Sequence, residues 1–494
     1  MIVDSTPLAA LRDDALLRTD GYVDGMWVPA DDSARFDVCD PSDGALLARV
    51  ADMGADETRR AIAAADAALP AWAAFTGKQR SAILRRWYEL IVEHADDLGL
   101  IVTAEMGKPL AEGRGEVVFG ANYVEWFAEE AKRAYGRVIP QHDPDLRLVV
   151  IKQPIGVVAA ITPWNFPSST MARKAAPALA AGCTVVAKPA QDTPLSSLAL
   201  AELAERAGIP PGVFNVVTAL DPAAIGGELT SNPAVKKISF TGSTPVGKLL
   251  MRQGADTVKK MGLELGGNAP FIVFDDADLD QAVPQAIIAK YRNGGQTCIC
   301  ANRMYVQAGI YDEFVERFTA AASDLTVGAG LSESTDVGPL INQSALDKVN
   351  RLVDDAVAHG AEIKLGGAQH ALGGTFYQPT VITQVTADMD VAVEEVFGPV
   401  ATIFRFTSDD EVIAEANDTP FGLAAYFFAR DVGRIWRVGE GLDYGMVGIN
   451  TGLLMTEVAP FGGVKESGIG REGAQDGLDE FLETKYLAMG GVTS

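Results

Sequence analysis

Two runs in this 494-residue chain could do covalent chemistry. Gly294-Gly295-Gln296-Thr297-Cys298-Ile299-Cys300 sets two thiols one residue apart behind a double glycine. A thiol in such a loop can be exposed and activated in a way that a packed core cysteine is not, so one of the pair is a nucleophile candidate. Met261-Gly262-Leu263-Glu264-Leu265-Gly266-Gly267 sets a lone acid at the end of an apolar strand. Desolvation there raises a carboxyl pKa, which suits a general base. The thiol spacing differs from the CxxC of redox pairs, and without a histidine cluster no zinc site is expected and no metal is assigned. His94, His142, His359 and His370 carry no local partner pattern, which leaves a cysteine–histidine hydrolase weakly supported. Cys39 and Cys183 read as small packing residues.

A third run could hold a phosphorylated ligand. Phe240-Thr241-Gly242-Ser243-Thr244-Pro245-Val246-Gly247 closes an expected strand and opens an expected helix. Its glycines sit where the backbone must turn or approach a ligand, and free N–H groups at a helix start attract anions. It resembles a dinucleotide fingerprint whose middle glycine is replaced.

These runs need elements to position them. The first ~150 residues read as mainly helical by their apolar spacing, after a strand near Gly21–Trp27, with amphipathic runs at Asp56–Ala68 and Lys78–His94. Tyr135–Gln153 reads as two extended segments about His142-Asp143-Pro144-Asp145, an arm projecting from the body. From Ile155 strands and helices alternate: Ile155–Ile161, Ser168–Ala180, Thr184–Lys188, Leu195–Arg206, Val213–Val217, Lys236–Phe240, then a helix from Thr244. Alternation of this kind implies crossover connections and a parallel sheet covered on both faces, hence a doubly wound nucleotide-binding domain. A second series from about Lys259 (Pro270–Phe274, Asp278–Lys290, Arg303–Val306, Tyr311–Leu325) implies a second α/β domain. Gly445–Gly452 and Phe461–Gly473 read as glycine-rich loops.

Composition excludes several classes. Forty-one basic against 66 acidic residues give a net charge of −25, so no nucleic-acid or anionic-membrane partner is expected. Four cysteines make no disulfide framework, which predicts a reducing compartment. Met1–Leu17 lacks a leader pattern and Ala175–Ala187 is broken by Pro177 and Gly182, so a cytoplasmic protein without membrane spans is expected.

Six motifs then occur in the order seen in aldehyde dehydrogenases: Pro163-Trp164-Asn165-Phe166-Pro167, Phe240-Thr241-Gly242-Ser243, Leu263-Glu264-Leu265-Gly266-Gly267, Gly295-Gln296-Thr297-Cys298, Glu395-Val396-Phe397-Gly398-Pro399 and Pro460-Phe461-Gly462-Gly463. The resemblance runs from about residue 20 to the C-terminus. Within the superfamily the chain looks most like succinate-semialdehyde dehydrogenases, through Cys298-Ile299-Cys300-Ala301-Asn302-Arg303 and Gly470-Arg471-Glu472-Gly473.

The resemblance implies Cys298 as nucleophile, Asn165 and the Cys298 N–H as oxyanion donors, and Glu264 as the base that activates water against a thioester. It implies NADP or NAD as cofactor. Lys188 matches the contact to the adenosine ribose, Trp164, Ser243 and Gly242 match the pyrophosphate side, and Glu395 and Phe397 match the nicotinamide ribose. Thr162, Ala190, Gln191 and Leu265 are expected to line the same site. Gln191 stands where NAD-preferring relatives often carry a glutamate that would repel a 2′-phosphate, so NADP is favoured. Arg173 and Arg292 match positions that hold the distal carboxylate of a semialdehyde, a task suited to a planar guanidinium. Met455 and Thr456 stand where close relatives usually have a serine pair, which keeps glutarate semialdehyde or an aliphatic aldehyde as the alternative substrate. Cys300 is a possible redox partner of Cys298, or a small residue packed beneath the loop.

The fold implied is α/β: the aldehyde dehydrogenase fold with a doubly wound cofactor domain, an α/β catalytic domain and a small β oligomerisation arm. The boundaries expected are 1–136 with 153–260 for nucleotide binding, 261–445 for catalysis, and 137–152 with 475–494 for oligomerisation. An arm with exposed strand edges predicts a homodimer or homotetramer. Two rivals differ in class: a cysteine hydrolase or acyltransferase using Cys298 and Glu264 without redox, and a silent relative that binds cofactor only.

Overall fold

The computed structural model describes residues 6–492, so the chain ends included in the expected 1–136 and 475–494 segments lie partly outside the described residues. Val157–Ile161 and Thr184–Lys188 are buried at every position, the pattern of strands covered on both faces. They form the centre of an eight-stranded sheet in which Phe214–Val216, Thr184–Lys188, Val157–Ile161, Val235–Thr241 and Lys260–Glu264 run parallel in that spatial order. Pro167–Ala181, Leu195–Arg206 and Thr244–Gly254 are among the helices that connect them. Pro167 opens the first of these, and Gly182 at φ 97° ends it in the left-handed region that favours glycine.

A second, seven-stranded sheet has Ala301–Gln307 and Ala269–Val273 at its centre, with Val400–Phe406 and Ala424–Phe428 as parallel outer neighbours. The doubly wound expectation holds, but the boundary expected at 260/261 falls at the start of Lys260–Glu264. That strand pairs with Val235–Thr241 and so belongs to the first sheet. The boundary at 445 likewise cuts off Met446–Ile449, a strand of the second sheet within a segment expected to be loop. A short strand at Gly468–Ile469 returns to the first sheet beside Glu264.

The expected arm is present as Arg137–Ile139 and Arg147–Pro154, and Leu482–Met489 completes it as a three-stranded antiparallel sheet. The N-terminal part is helical over Ala55–Glu130 but also carries a hairpin, Arg35–Cys39 with Leu46–Ala51, that the helical expectation missed. Its alternation of Phe36 and Val38 with exposed neighbours, followed by Asp40-Pro41-Ser42-Asp43-Gly44, is the missed signal.

Trp87 is fully buried in the largest core, donates from Nε1 to the Leu200 carbonyl at 3.1 Å and meets the Phe214 ring at 5.9 Å. Trp87→Ala should destabilise the fold by about 3–5 kcal/mol. Circular dichroism in a urea series should show the midpoint fall; an unchanged midpoint would contradict this packing.

Candidate active site

Parallel pairing aligns strand ends, so the chemistry gathers at one edge of the first sheet. Thr241 pairs with Glu264 and Ile161 with Lys188, which sets the loops after these residues side by side. They open into a cleft of about 660 Å³ that contains Thr162, Trp164, Lys188, Ala190, Gln191, Gly242, Ser243 and Leu265. Glu395 and Phe397 close the opposite wall, and Asn165 and Cys298 lie in the same cleft. Every cofactor position expected from the sequence is therefore in one cavity. Asn342, Ala345 and Lys348, on and before the helix Gln343–Ala358, also line it and were not anticipated.

The cleft fits a nicotinamide dinucleotide. Ser243 caps the helix Thr244–Gly254 without a side-chain cap hydrogen bond, leaving its hydroxyl and the first helical N–H groups available to an anion. Among the described residues the buried Lys188 ammonium donates only to the Pro189 carbonyl, at 2.9 Å, and burial lowers its pKa to about 8. Gln191 donates to Asp192 at 2.8 Å. Trp164 and Phe397 meet edge to face at 5.5 Å, while the Glu395 carboxylate accepts from the Gly267 N–H at 3.2 Å.

The nucleophile loop takes its shape from three successive left-handed residues, Asn293, Gly294 and Gly295, at φ 55°, 61° and 75°. A side chain at Gly295 would lie 2.2 Å from the Gly398 carbonyl oxygen, so only glycine fits. Gln296 ties the loop down, accepting from the Ile341 N–H at 3.0 Å and donating to the Asn293 and Pro339 carbonyls. Cys298 is partly exposed and Cys300 is buried; both thiols are free. Burial pushes the Cys298 thiol up to about 12, with the Glu395 charge adding to the rise and Arg173 opposing it. The Cys300 thiol donates to the Lys290 carbonyl at 3.4 Å, a packing contact beneath the loop.

Asn165 donates from Nδ2 to the Gln296 carbonyl at 3.0 Å, which uses one of its two amide hydrogens and leaves the other for an oxyanion. Glu264 is 3% exposed, and its Oε2 has no hydrogen-bond partner. Burial raises its pKa well above the ordinary carboxyl range; the neighbouring Glu472 carboxylate adds to this, and Arg173 and Lys174 oppose it.

Glu472 is the main residue that sequence reasoning used only as a family marker. It ion-pairs at 2.5 Å with both Arg173 Nε and Lys174 Nζ. Arg173, expected in a two-arginine carboxylate clamp, is thus already ion-paired, sharing the Glu472 carboxylate with Lys174, and its guanidinium lies 4.2 Å over the Phe461 ring. Arg292 differs: it forms no ion pair among the described residues and has Met455 Sδ at 3.7 Å and the Phe166 ring at 5.5 Å. Thr456 offers its carbonyl to the Tyr123 hydroxyl at 3.2 Å. Of the two arginines, Arg292 is thus the one without an ion pair among the described residues; the Tyr123 and Phe461 rings lie by Arg173 and the Phe166 ring by Arg292.

A cysteine that can be acylated, an amide poised for an oxyanion, a buried carboxyl and a dinucleotide cleft make a thiol-dependent aldehyde oxidation centre. The profile of the aldehyde dehydrogenase family matches residues 27–487, and the chain belongs to that family. It is 59% identical over 482 residues to glutarate-semialdehyde dehydrogenase of Pseudomonas aeruginosa, covering 98% of this chain and 100% of that protein. It is 57% identical over 480 residues to the NADP(+) succinate-semialdehyde dehydrogenase GabD of Escherichia coli, covering 97% of this chain and 99% of that one. The crystal structure of succinate-semialdehyde dehydrogenase from Burkholderia pseudomallei superposes with a TM-score of 0.97 at 58% identity, over 97% of this chain and 100% of that chain.

Because a base must be deprotonated to act, the raised Glu264 pKa predicts a rate that climbs with pH through that pKa, above the range of an ordinary carboxylate. In Glu264→Gln, steady-state turnover should fall by roughly 10²-fold or more and this limb should vanish. A variant that keeps the limb would assign it to another group.

Proposed function

We propose that this protein oxidises succinate semialdehyde to succinate with NADP or NAD, NADP being favoured. The observation that carries the substrate choice is Arg292, a guanidinium that makes no direct ion pair among the described residues, in a pocket walled by Phe166 and Met455. An aldehyde with a distal carboxylate places its anion there by a bidentate contact. Its carbonyl then faces Cys298.

Glu264 can accept the proton of the Cys298 thiol, and the resulting thiolate attacks the aldehyde carbon, forming a carbon–sulfur bond and a tetrahedral alkoxide. Asn165 and the Cys298 N–H hold the developing charge, donors worth roughly 10²–10³ in rate where such groups have been removed. Collapse of this alkoxide to a thioester breaks the carbon–hydrogen bond and expels a hydride, for which a nicotinamide held in the cleft would supply the acceptor. Glu264, having passed the thiol's proton to solvent, then takes a proton from the water that attacks the Cys298 thioester, and the acid product leaves as the sulfur departs and is reprotonated. The residues that would hold the cofactor are Lys188 and Gln191 at the adenosine ribose, Trp164, Gly242 and Ser243 at the pyrophosphate, and Glu395 and Phe397 at the nicotinamide ribose. Thr162, Ala190 and Leu265 shape the cleft between them.

Glutarate semialdehyde is the second reading. Met455 on Arg292 favours it, because a thioether gives a more apolar pocket than a hydroxyl would. The 59% identical Pseudomonas aeruginosa relative bears that name. Assignment to the cytoplasm follows from the sparse, unpaired cysteines; among the described residues no helix is long and apolar enough to cross a membrane. A homodimer or homotetramer is supported by the apolar side chains exposed on the three-stranded sheet, Val138, Tyr486, Leu487 and Met489.

Initial rates should rank succinate semialdehyde above propanal, and Arg292→Ala should raise KM for acid-bearing aldehydes at least tenfold, about 1.4 kcal/mol, while sparing propanal. Equal losses on both substrates would sink the clamp. Gln191→Glu should shift the NADP-to-NAD ratio of kcat/KM toward NAD by a similar factor, and an unmoved ratio would remove Gln191 from cofactor choice.

A further inference from the structure

Glu112 and Glu116 lie four residues apart near the start of the helix Leu110–Glu130 and so share one face, and Lys108 stands in the short link just before that helix. This face turns inward. Lys108 is 2% exposed and Glu116 5%, although no substrate or cofactor position expected from the sequence includes them. The Lys108 ammonium lies 2.5 Å from Glu116 Oε2, donates to the Asn165 carbonyl at 2.7 Å and sits 4.0 Å over the Phe166 ring. Glu116 Oε1 accepts from the backbone N–H groups of Ser168 and Ser169, at 2.9 and 3.1 Å. One buried ion pair therefore grips the main chain on both sides of Phe166, at the Asn165 carbonyl and in the first turn of the following helix.

The same carbonyl is held from the nucleophile loop. Asn293 Nδ2 donates to it at 3.0 Å and to the Gln296 carbonyl at 3.1 Å, the oxygen that also accepts from the Asn165 side chain. The Asn293 N–H in turn donates to Glu112 at 2.8 Å. The helix face and the Cys298 loop thus converge on a single peptide group, the one whose side chain supplies the oxyanion donor.

A buried ion pair is weak evidence for stability, since desolvation offsets most of its attraction and apolar replacements often serve as well. Its geometric effect here is specific. We propose that Lys108, held by Glu116, is a positioning residue that fixes the Asn165 peptide and so aims the Asn165 amide at the oxyanion formed on Cys298. The proposal rests on Asn165 being that donor.

The test is a double-mutant cycle of Lys108→Met with Asn165→Ala. It is read on aldehyde oxidation and, without cofactor, on hydrolysis of p-nitrophenyl acetate, where attack by Cys298 also generates an oxyanion. Rates are referred to the active fraction given by the p-nitrophenol burst. Lys108→Met should lower kcat roughly 10- to 100-fold in both reactions, as expected when a donor shifts by about an ångström. KM for the aldehyde and the dissociation constant of NADP should change less than threefold. In the Asn165→Ala background the same substitution should cost less than twofold further. If leaving Glu116 unpaired prevents folding, Lys108→Met/Glu116→Gln removes both charges while keeping an acceptor for Ser168 and Ser169, and the same cycle is run with it. Parent-like kcat in a folded Lys108 variant, or losses that multiply with a slow Asn165→Ala, would overturn the positioning role alone. Parent-like rates in Asn165→Ala itself would overturn the oxyanion reading, and the positioning role with it.

Discussion

Two sheets meet where Gly267 lies against the carbonyl of Cys298, and a side chain at residue 267 would come within 2.2 Å of that oxygen. Main chain touches main chain at this point, so neither the Glu264 strand nor the thiol loop can move without the other. Further contacts reinforce it. The Gly242 N–H donates to the Glu264 carbonyl at 3.0 Å, and Leu265 donates to Ser467, whose hydroxyl reaches Gly266 at 2.7 Å. The Gly242 turn, Glu264 and Cys298 are thereby hung from one seam of backbone. Catalytic precision of this kind needs support from rigid elements, and the two parallel sheets supply it.

Charge is arranged around that seam with equal economy. Arg173 and Lys174 are nearly fully buried and share the Glu472 carboxylate, which leaves Glu264 near one acid and three cations, Arg173, Lys174 and Arg471. Desolvation dominates, so Glu264 holds its proton more tightly than a surface acid, as a base working near neutrality requires. Glu395 is raised to about 7 by burial, opposed by Lys348 and by its bond from Gly267. The site thus tunes several carboxylates by exclusion of water and uses the nearby cations to limit how far each is moved.

Much of this was legible in the sequence, and the gaps have physical causes. Thr184–Lys188 and Leu195–Arg206 have the bounds that their periodicity predicts, because a wholly buried strand and a helix ended by Ala207-Gly208 leave local marks. The ten cofactor positions fall in one cleft because motifs at strand ends must converge in a parallel sheet. Sheet membership of Lys260–Glu264 was not legible, since a strand's partners are not written in its own residues. Nor was the pairing of Glu472 with Arg173, groups almost three hundred positions apart; local spacing carries no trace of such a contact, and Arg173 was expected to be free for substrate. Lys108, Glu112 and Glu116 did leave a trace, a charged repeat at helical spacing, but such a repeat ordinarily marks a solvated face.

The position of Glu472 after every other residue of the centre gives the molecule an order of assembly. The segments bearing Asn165, Arg173, Lys174, Glu264 and Cys298 are all synthesised before it, and domains tend to fold as they emerge. Until the tail docks, two cations face the interior without their counter-charge, and the strand Leu482–Met489 has yet to take its place beside Arg147–Pro154. The same closing stretch completes both the electrostatics of the centre and the sheet from which the arm is made. The Cys298 thiol thus gains these surroundings only after the stretch from Glu472 to Met489 has been made, well after the thiol itself.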